Sequence, residues 1–288
     1  MSLALTAPWR LVEDGAASGP HNMGVDEALL ASAQASGRAT LRLYRWDGPW
    51  LSLGYGQKLS PERAEACRRA GVGVVRRRTG GLAVLHGADL TYTVAAPEAA
   101  LPPGLQGSYC LVADALCEAF AQLGVEVERT PACRPASGAG RRAGFDCFAV
   151  PAPDELLAGG RKLAGSAQRR SRGAVLQHGS IRLTPDRPEA AAAAGLDPGR
   201  ATSVLELGGN PDPARVGAAV VAGFAAVLGP LGVSLVKARC ERRPGLPEIT
   251  ALPASRRPCA APMSSAGRVP SPRHEPVWTG RGGRNPWL

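Results

Sequence analysis

Apolar residues recur along this chain with two different periods. Between Ser108 and Leu123, Val112, Leu116, Phe120 and Leu123 share one face of a 3.6-residue helix, Asp114, Glu118 and Gln122 share another, and Gly124 supplies a stop. Pro213–Leu228 predicts a second helix, rich in alanine and valine and ended by Gly229-Pro230. A third is expected from Asn22 to about Ser36, with Asn22 as its cap and Asp26 and Glu27 in its first turn, where the positive helix end favours acids. Pro61–Ala70 and Ala190–Ala194 add short helical segments. The shorter period marks strands: Leu41–Trp46 and Leu51–Gln57 flank the turn signal Asp47-Gly48-Pro49, and Val72–Arg77, Leu82–His86 and Leu90–Val94 follow. Further strands are expected at Val125–Arg129, Phe145–Val150, Arg161–Gln168 and Ala174–Leu183. They cluster without regular strand–helix alternation, which predicts an α+β class with a mixed β-sheet flanked by helices.

The periodicity fades near residue 240. From Arg242 onward the chain turns to Pro, Arg, Ser and Gly, so residues 1–240 read as the folded catalytic body and 241–288 as a disordered basic tail. Across its 288 residues the chain is 44% hydrophobic and 20% charged, a composition that suits a water-soluble globular body. It has neither an apolar run long enough for a bilayer nor the basic start and apolar stretch of a secretory leader, so a cytoplasmic location without membrane contact is expected. The formal charge is +10, and eight arginines against three glutamates put half of it in the tail. The remainder suits an acidic macromolecular partner or nucleic acid, between which charge alone does not choose; the tail's mixed composition without interleaved aromatics makes nucleic acid the less favoured.

Seven cysteines, an odd number without a CxxC pair, argue against both a zinc site and a disulfide framework. One of them, Cys147, lies fifteen positions before Lys162, which stands among small residues in Arg161-Lys162-Leu163-Ala164-Gly165-Ser166. Cys147 and Lys162 are symmetric about Asp154-Glu155, so antiparallel pairing of their flanks would set a thiol opposite an ammonium. A thiol beside a cation becomes a thiolate nucleophile near neutral pH. Lys162 on a strand has the alternative of pointing to solvent.

Three further places offer chemistry. Thr79-Gly80-Gly81 follows Arg76, Arg77 and Arg78 and precedes a strand; its unhindered backbone N–H groups would bind a phosphate or carbonyl oxygen, or the pair makes a tight turn. His86 shares a strand face with Leu82 and Val84, and His178 stands in Leu176-Gln177-His178-Gly179-Ser180; each reads as a site residue or as a hydrogen-bonded structural histidine. Neither has acidic or cysteine partners at metal-ligand spacing, and no metal is expected.

Taken together, RRRTGGLAVLHGADLTYTV (Arg76–Val94), Asp146-Cys147-Phe148 and GRKLAGSAQRRSRGAVLQHGSI (Gly160–Ile181) resemble the octanoyltransferases of the biotin/lipoate protein ligase superfamily. Asn22–Leu29 and the strand pair ending Ser52-Leu53-Gly54-Tyr55 are similar to the same family, and the likeness runs in order over about residues 5 to 230. The resemblance implies that superfamily's catalytic-domain fold around an acyl tunnel. It implies transfer of an octanoyl group from octanoyl-acyl carrier protein to a lysine of a lipoyl-accepting protein, such as glycine cleavage protein H or a lipoyl domain. It implies that Cys147 takes the acyl group, that Lys162 assists, and that Gly80, Gly81 and His86 belong to the site; Arg76, Arg77, Thr79, Gly165, Ser166 and His178 are expected around the substrate with them. No cofactor is expected, because a thioester is already activated. Leu82, Ala83 and Val84 are expected beside the acyl chain. Leu82 and Gly87 depart from the family pattern, which commonly has arginine and aspartate there. The rival activities are an ATP-dependent lipoate–protein ligase, which needs no nucleophilic cysteine, and an octanoyl amidotransferase between lipoyl-accepting proteins. A non-catalytic homologue that binds a lipoyl domain is the rival of another class.

Overall fold

The computed structural model describes residues 8–130, 155–229 and 235–237. The chain runs β1 (Trp9–Ala17), α1 (Gly19–Ser36), β2 (Thr40–Trp46), β3 (Trp50–Leu53), α2 (Pro61–Arg69), β4 (Gly73–Arg76), β5 (Val84–His86), β6 (Asp89–Pro97) and α3 (Gly104–Gln122). It continues through β7 (Glu128–Arg129), β8 (Leu156–Ala158), β9 (Arg161–Ser171), β10 (Ala174–Arg182), α4 (Pro188–Ala194), α5 (Pro213–Leu228) and β11 (Leu235–Lys237).

Eight strands form the main sheet in the order β11-β1-β2-β6-β10-β9-β8-β7, and β4-β3-β5 form a smaller one. β1 pairs in parallel with β2 and β11, while β2, β6, β10, β9 and β8 pair antiparallel, so the sheet is mixed as the sequence predicts. Period-2 alternation gives the sheet two apolar faces. Leu41, Leu43, Leu90, Tyr92, Val94, Val175 and Ile181 point to α3 and α5 and form the principal core with Phe120 and Phe224. Ala95, Ala174 and Leu176 point the other way, against Leu29, Leu30 and Ala33 of α1. Alternation along β10 therefore leaves His178 and Ser180 on the α1 side, and there the site is built.

Local chemistry explains most element ends, with two corrections. α1 begins three residues before the expected Asn22: Ser18 caps it, its hydroxyl accepting from the His21 amide, and Pro20 is tolerated in the first turn because that N–H has no helical partner. Asp26 and Glu27 consequently lie beyond the first turn, and Asn22 is fully buried instead of capping. β1 was not foreseen, because its pairing with β2 and β11 is entirely non-local. The predicted strand at Phe145–Val150 and the tail 241–288 fall outside the described residues. Among the described residues no helix is long and apolar enough to cross a membrane.

Candidate functional site

Lys162 is the pivot of the site. It is 1% exposed, and its ammonium contacts the carboxylate of Glu155, itself 4% exposed. Strict alternation along β9 would place Lys162 and Gly165 on opposite faces. The ladder with β8, however, shifts register, pairing Leu157 with Lys162 but Leu156 with Ala164, so the bulged Leu163 is the extra residue. Both Leu163 and Ala164 then enter the α3–α5 core, and Lys162 returns to the face of Gly165. A Cβ on residue 165 would lie 2.7 Å from Lys162 Nζ, so glycine is what lets the lysine head lie beneath that strand position.

The expected thiol–ammonium ladder centred on Asp154-Glu155 is overturned. β8 and β9 are joined at Gly159-Gly160, with φ of 55° and 72°, the left-handed pair that a tight two-residue turn requires. The hairpin is therefore centred about five residues later, and the ladder partner of Lys162 is Leu157. Cys147 lies outside the described residues.

From Gly165 a cavity crosses the sheet on the α1 side. Gly165, Ser180, Thr91 and Tyr44 are aligned partners on four successive strands, and all four line it. Three strand spacings span roughly 14 Å, and an extended eight-carbon chain needs about 9 Å at standard bond lengths. Its far end is closed by Met23 and Trp46. The free volume is about 30 Å³, near one water-sized space, so seating a chain requires wall residues to move. Met23, unbranched and soft, is suited to that. Val84 lines the cavity as expected, whereas Ala83 packs instead into the separate core between the small sheet, α2 and α4, because alternate residues of that strand face opposite ways.

Both histidines reach the cavity wall, each held by a buried carboxylate that the sequence reading did not pair with it. His86 Nδ1 donates to Asp89 at 2.8 Å, its Nε2 meets Ser52 Oγ at 2.8 Å, and Trp46 stacks on its ring with centroids 4.0 Å apart. His178 Nδ1 donates to Asp26 at 3.1 Å and its Nε2 meets Thr79 Oγ1 at 2.6 Å. A carboxylate only accepts, so each Nδ1 carries a proton, and in neutral His178 the Thr79 hydroxyl donates to Nε2. Asp89 also accepts from Thr91, Ser180 and the Gly87 amide, and Asp26 from Arg42, Tyr44 and Thr93. Burial pushes the Asp26 carboxyl up, but its bonds to His178 and Arg42 outweigh this and hold it below the ordinary carboxylate range. Burial likewise holds the His178 imidazole below its usual value, against the pull of Asp26.

These directions set a pH profile. His178, depressed in the folded state, contributes stability in full above the unfolded value of about 6.5, and that contribution fades as pH falls through it. Asp26, also depressed, keeps its contribution above about 4 and loses it on further acidification. The urea midpoint should be flat from pH 8 to 7, fall below about 6.5 and fall more steeply below 4; His178→Gln should flatten the upper decline. Asp26→Asn should cost about 3 kcal/mol, because Arg42 stays fully buried with one carboxylate fewer.

The remaining predicted residues are structural as much as they are lining. Arg77 lines the cavity but spends its guanidinium on Ser52, Gly80 and Leu82 oxygens. Arg76 clamps the carbonyls of Gly54, Tyr55 and Gln57 and is not brought to the cavity. The Gly80-Gly81 pair makes a turn, Gly81 at φ 86°, whose carbonyl approaches so closely that residue 54 can bear no Cβ. Ser166 lines the cavity as expected, but its hydroxyl turns to the α3 side, where Oγ meets the Tyr92 hydroxyl, a phenol that burial lifts to about 12. Among the described residues no trio of His, Cys, Asp or Glu gathers as a metal site. Gly165→Ala should displace the Lys162 head from its place beside Glu155 and lower turnover by more than the accompanying drop in melting accounts for. If turnover and melting fell in proportion, Gly165 would be only a packing residue.

Residues 18–225 match the model of the lipoyl protein ligase A/B catalytic domain. The octanoyltransferase LipM of Moorella thermoacetica is 43% identical over 186 residues, covering 61% of this chain and 65% of that protein. That of Kyrpidia tusciae is 38% identical over 247 residues, covering 77% and 87%. The chain thus spans just under two thirds of the first relative and most of the second. Among solved structures, a lipoate-protein ligase A bound with ATP superposes with a TM-score of 0.64 at 22% identity, over 81% of this chain and 90% of that one. A bipartite lipoate protein ligase from Thermoplasma acidophilum gives 0.61 at 19%, over 82% and 88%. At those identities the structures establish the fold alone.

Proposed function

This chain belongs to the lipoyl protein ligase A/B catalytic-domain family, and from that premise we propose that it is an octanoyltransferase of protein lipoylation that works through a thioester on Cys147. The observation that carries the reading is the buried Lys162 ammonium beneath Gly165, which lines one end of a cavity whose walls span the four strands from Gly165 to Tyr44. Relatives at 37–43% identity that bear the octanoyltransferase name support the acyl group.

The reaction has two balanced halves. The Cys147 thiolate attacks the octanoyl carbonyl, a new C–S bond forms, and the C–S bond to the carrier breaks; the carrier thiolate leaves and takes up a proton. An uncharged acceptor lysine then attacks the enzyme thioester, an amide forms, and the Cys147 thiolate is released as the amine loses its proton. Lys162 supplies a fixed positive charge to the carbonyl oxygen as it becomes an oxyanion, in a place that water hardly reaches. Gly165 keeps the cavity wall free of a side chain beside it. Octanoyl-acyl carrier protein is the proposed donor, and glycine cleavage protein H or a lipoyl domain the proposed acceptor.

The test is to mix the protein with octanoyl-acyl carrier protein, without ATP, and weigh it intact. An adduct of octanoyl mass that hydroxylamine removes, and that passes to added glycine cleavage protein H, is expected. Acylation of the acceptor that occurs only with ATP and free octanoate or lipoate would overturn the thioester route and make the chain a ligase.

A further inference from the structure

A second feature of the α1 side is a groove of about 200 Å³ between α1 and the β9–β10 turn, lined by Glu27, Gln34, Arg78, Arg169, Ser171 and Arg172 among others. Three guanidinium groups face one carboxylate there. Arg78 is paired with Glu27, 51% and 44% exposed respectively, and Arg169 donates to the Arg78 carbonyl while lying 5.3 Å from the ring centre of Tyr55. That tyrosine is 57% exposed. Arg172 is exposed at the tip of the turn and has no ion-pair partner among the described residues.

Two facts make this more than a solvated basic patch. Arg172 occupies the turn with φ of 50°, followed by Gly173 at 74°. Such a two-residue turn prefers asparagine at its first position, and a long side chain there is held at a conformational cost. The groove also lies on the same sheet face as the cavity, one ladder step along β9 and β10 from it. Arg169 is the ladder partner of Leu176, as Ala167 is of His178, and Arg78 adjoins Thr79, which bonds His178. Along β9, Arg169 stands seven residues from Lys162, roughly 20 Å after allowing for the bulge at about 3.3 Å per residue.

We propose that this groove docks an acidic carrier domain and holds the phosphodiester at the base of the arm on which that carrier bears its acyl chain. The inference rests on the octanoyl-transfer reading above. An extended phosphopantetheine arm measures roughly 20 Å from phosphorus to sulfur at standard bond lengths, so a phosphate at Arg169 places the thioester at Lys162. The arm then runs along β9 and the acyl chain turns across the strands into the cavity. Arginine forks match phosphate oxygens with two parallel bonds, and the surrounding positive field speeds encounter with an acidic surface.

The test compares wild type with the double variant Arg169→Ala/Arg172→Asn on octanoyl-acyl carrier protein and on octanoyl-pantetheine, which lacks the phosphate. The variant should raise KM for the carrier about tenfold or more, with kcat within twofold and a weaker dependence on salt, and should treat octanoyl-pantetheine as wild type does. Arg172→Asn alone should melt no lower than wild type, so weaker docking there cannot be ascribed to unfolding. An unchanged carrier KM, or an equal loss on octanoyl-pantetheine, overturns the groove and leaves the transferase reading standing. A loss confined to octanoyl-coenzyme A also overturns it, assigning the arginines to a free phosphate-bearing donor. Failure of wild type to take octanoyl from any thioester overturns both readings.

Discussion

Cys147→Ser should lower octanoyl transfer by on the order of a thousandfold or more and remove the hydroxylamine-sensitive adduct, because a serine hydroxyl is not ionised near neutral pH as a thiol can be. Intact mass and steady-state transfer read the two effects separately. The ester that serine would form resists both hydroxylamine and aminolysis far better than a thioester, so even a slowly acylated variant should stall before the acceptor. Transfer at a rate near wild type would show that the acyl group never rests on Cys147, and the family's ligase chemistry would then be the reading to pursue.

The second large effect is at Lys162, where stability and activity must be separated. Lys162→Met leaves the Glu155 carboxylate buried without that ammonium, and breaking a buried pair costs about 3–5 kcal/mol. A drop in melting temperature is therefore expected, together with a fall in transfer of roughly a hundredfold to a thousandfold from the loss of the charge at the oxyanion. Adding Glu155→Gln removes the stranded charge and should recover most of the stability while transfer stays low. Recovery of rate along with stability would reduce Lys162 to a structural residue. The same cycle measures Glu155, whose amide is anchored by Thr130 Oγ1 at 2.9 Å and whose carbonyl accepts from the Thr130 amide at 3.0 Å. That anchoring makes Glu155 a positioning residue for the lysine.

Much of this was legible in the chain. α3 and α5 lie where the 3.6-residue period places them, and α5 runs from Pro213 to Leu228 as read. β3 ends sooner than its apolar run suggested, at Leu53, because the next residue meets the Gly81 carbonyl at a distance no side chain would allow. Lys162, Gly165, His178 and His86 do converge on one cavity wall or its margin. Arg76 does not, because the carbonyls of the loop after β3 claim its guanidinium. Glu155 carried a signal that could have found it, an acid seven residues before a lysine about a Gly-Gly turn, but the symmetry of Cys147 and Lys162 about Asp154-Glu155 points to a hairpin centre there instead of a partner.

The sequence by itself determined most of the helices and strands, β1 excepted, and offered the residue types that the proposed acyl transfer would use, since both are read from spacing within a few residues. Only the tertiary structure decided where that chemistry points. One bulged residue at Leu163 turns Lys162 onto the cavity face, and the carboxylate that holds His178 comes from Asp26, 152 positions away. Face and partnership depend on ladder register and on burial between distant strands, and those interactions leave no periodic trace in a local stretch of chain.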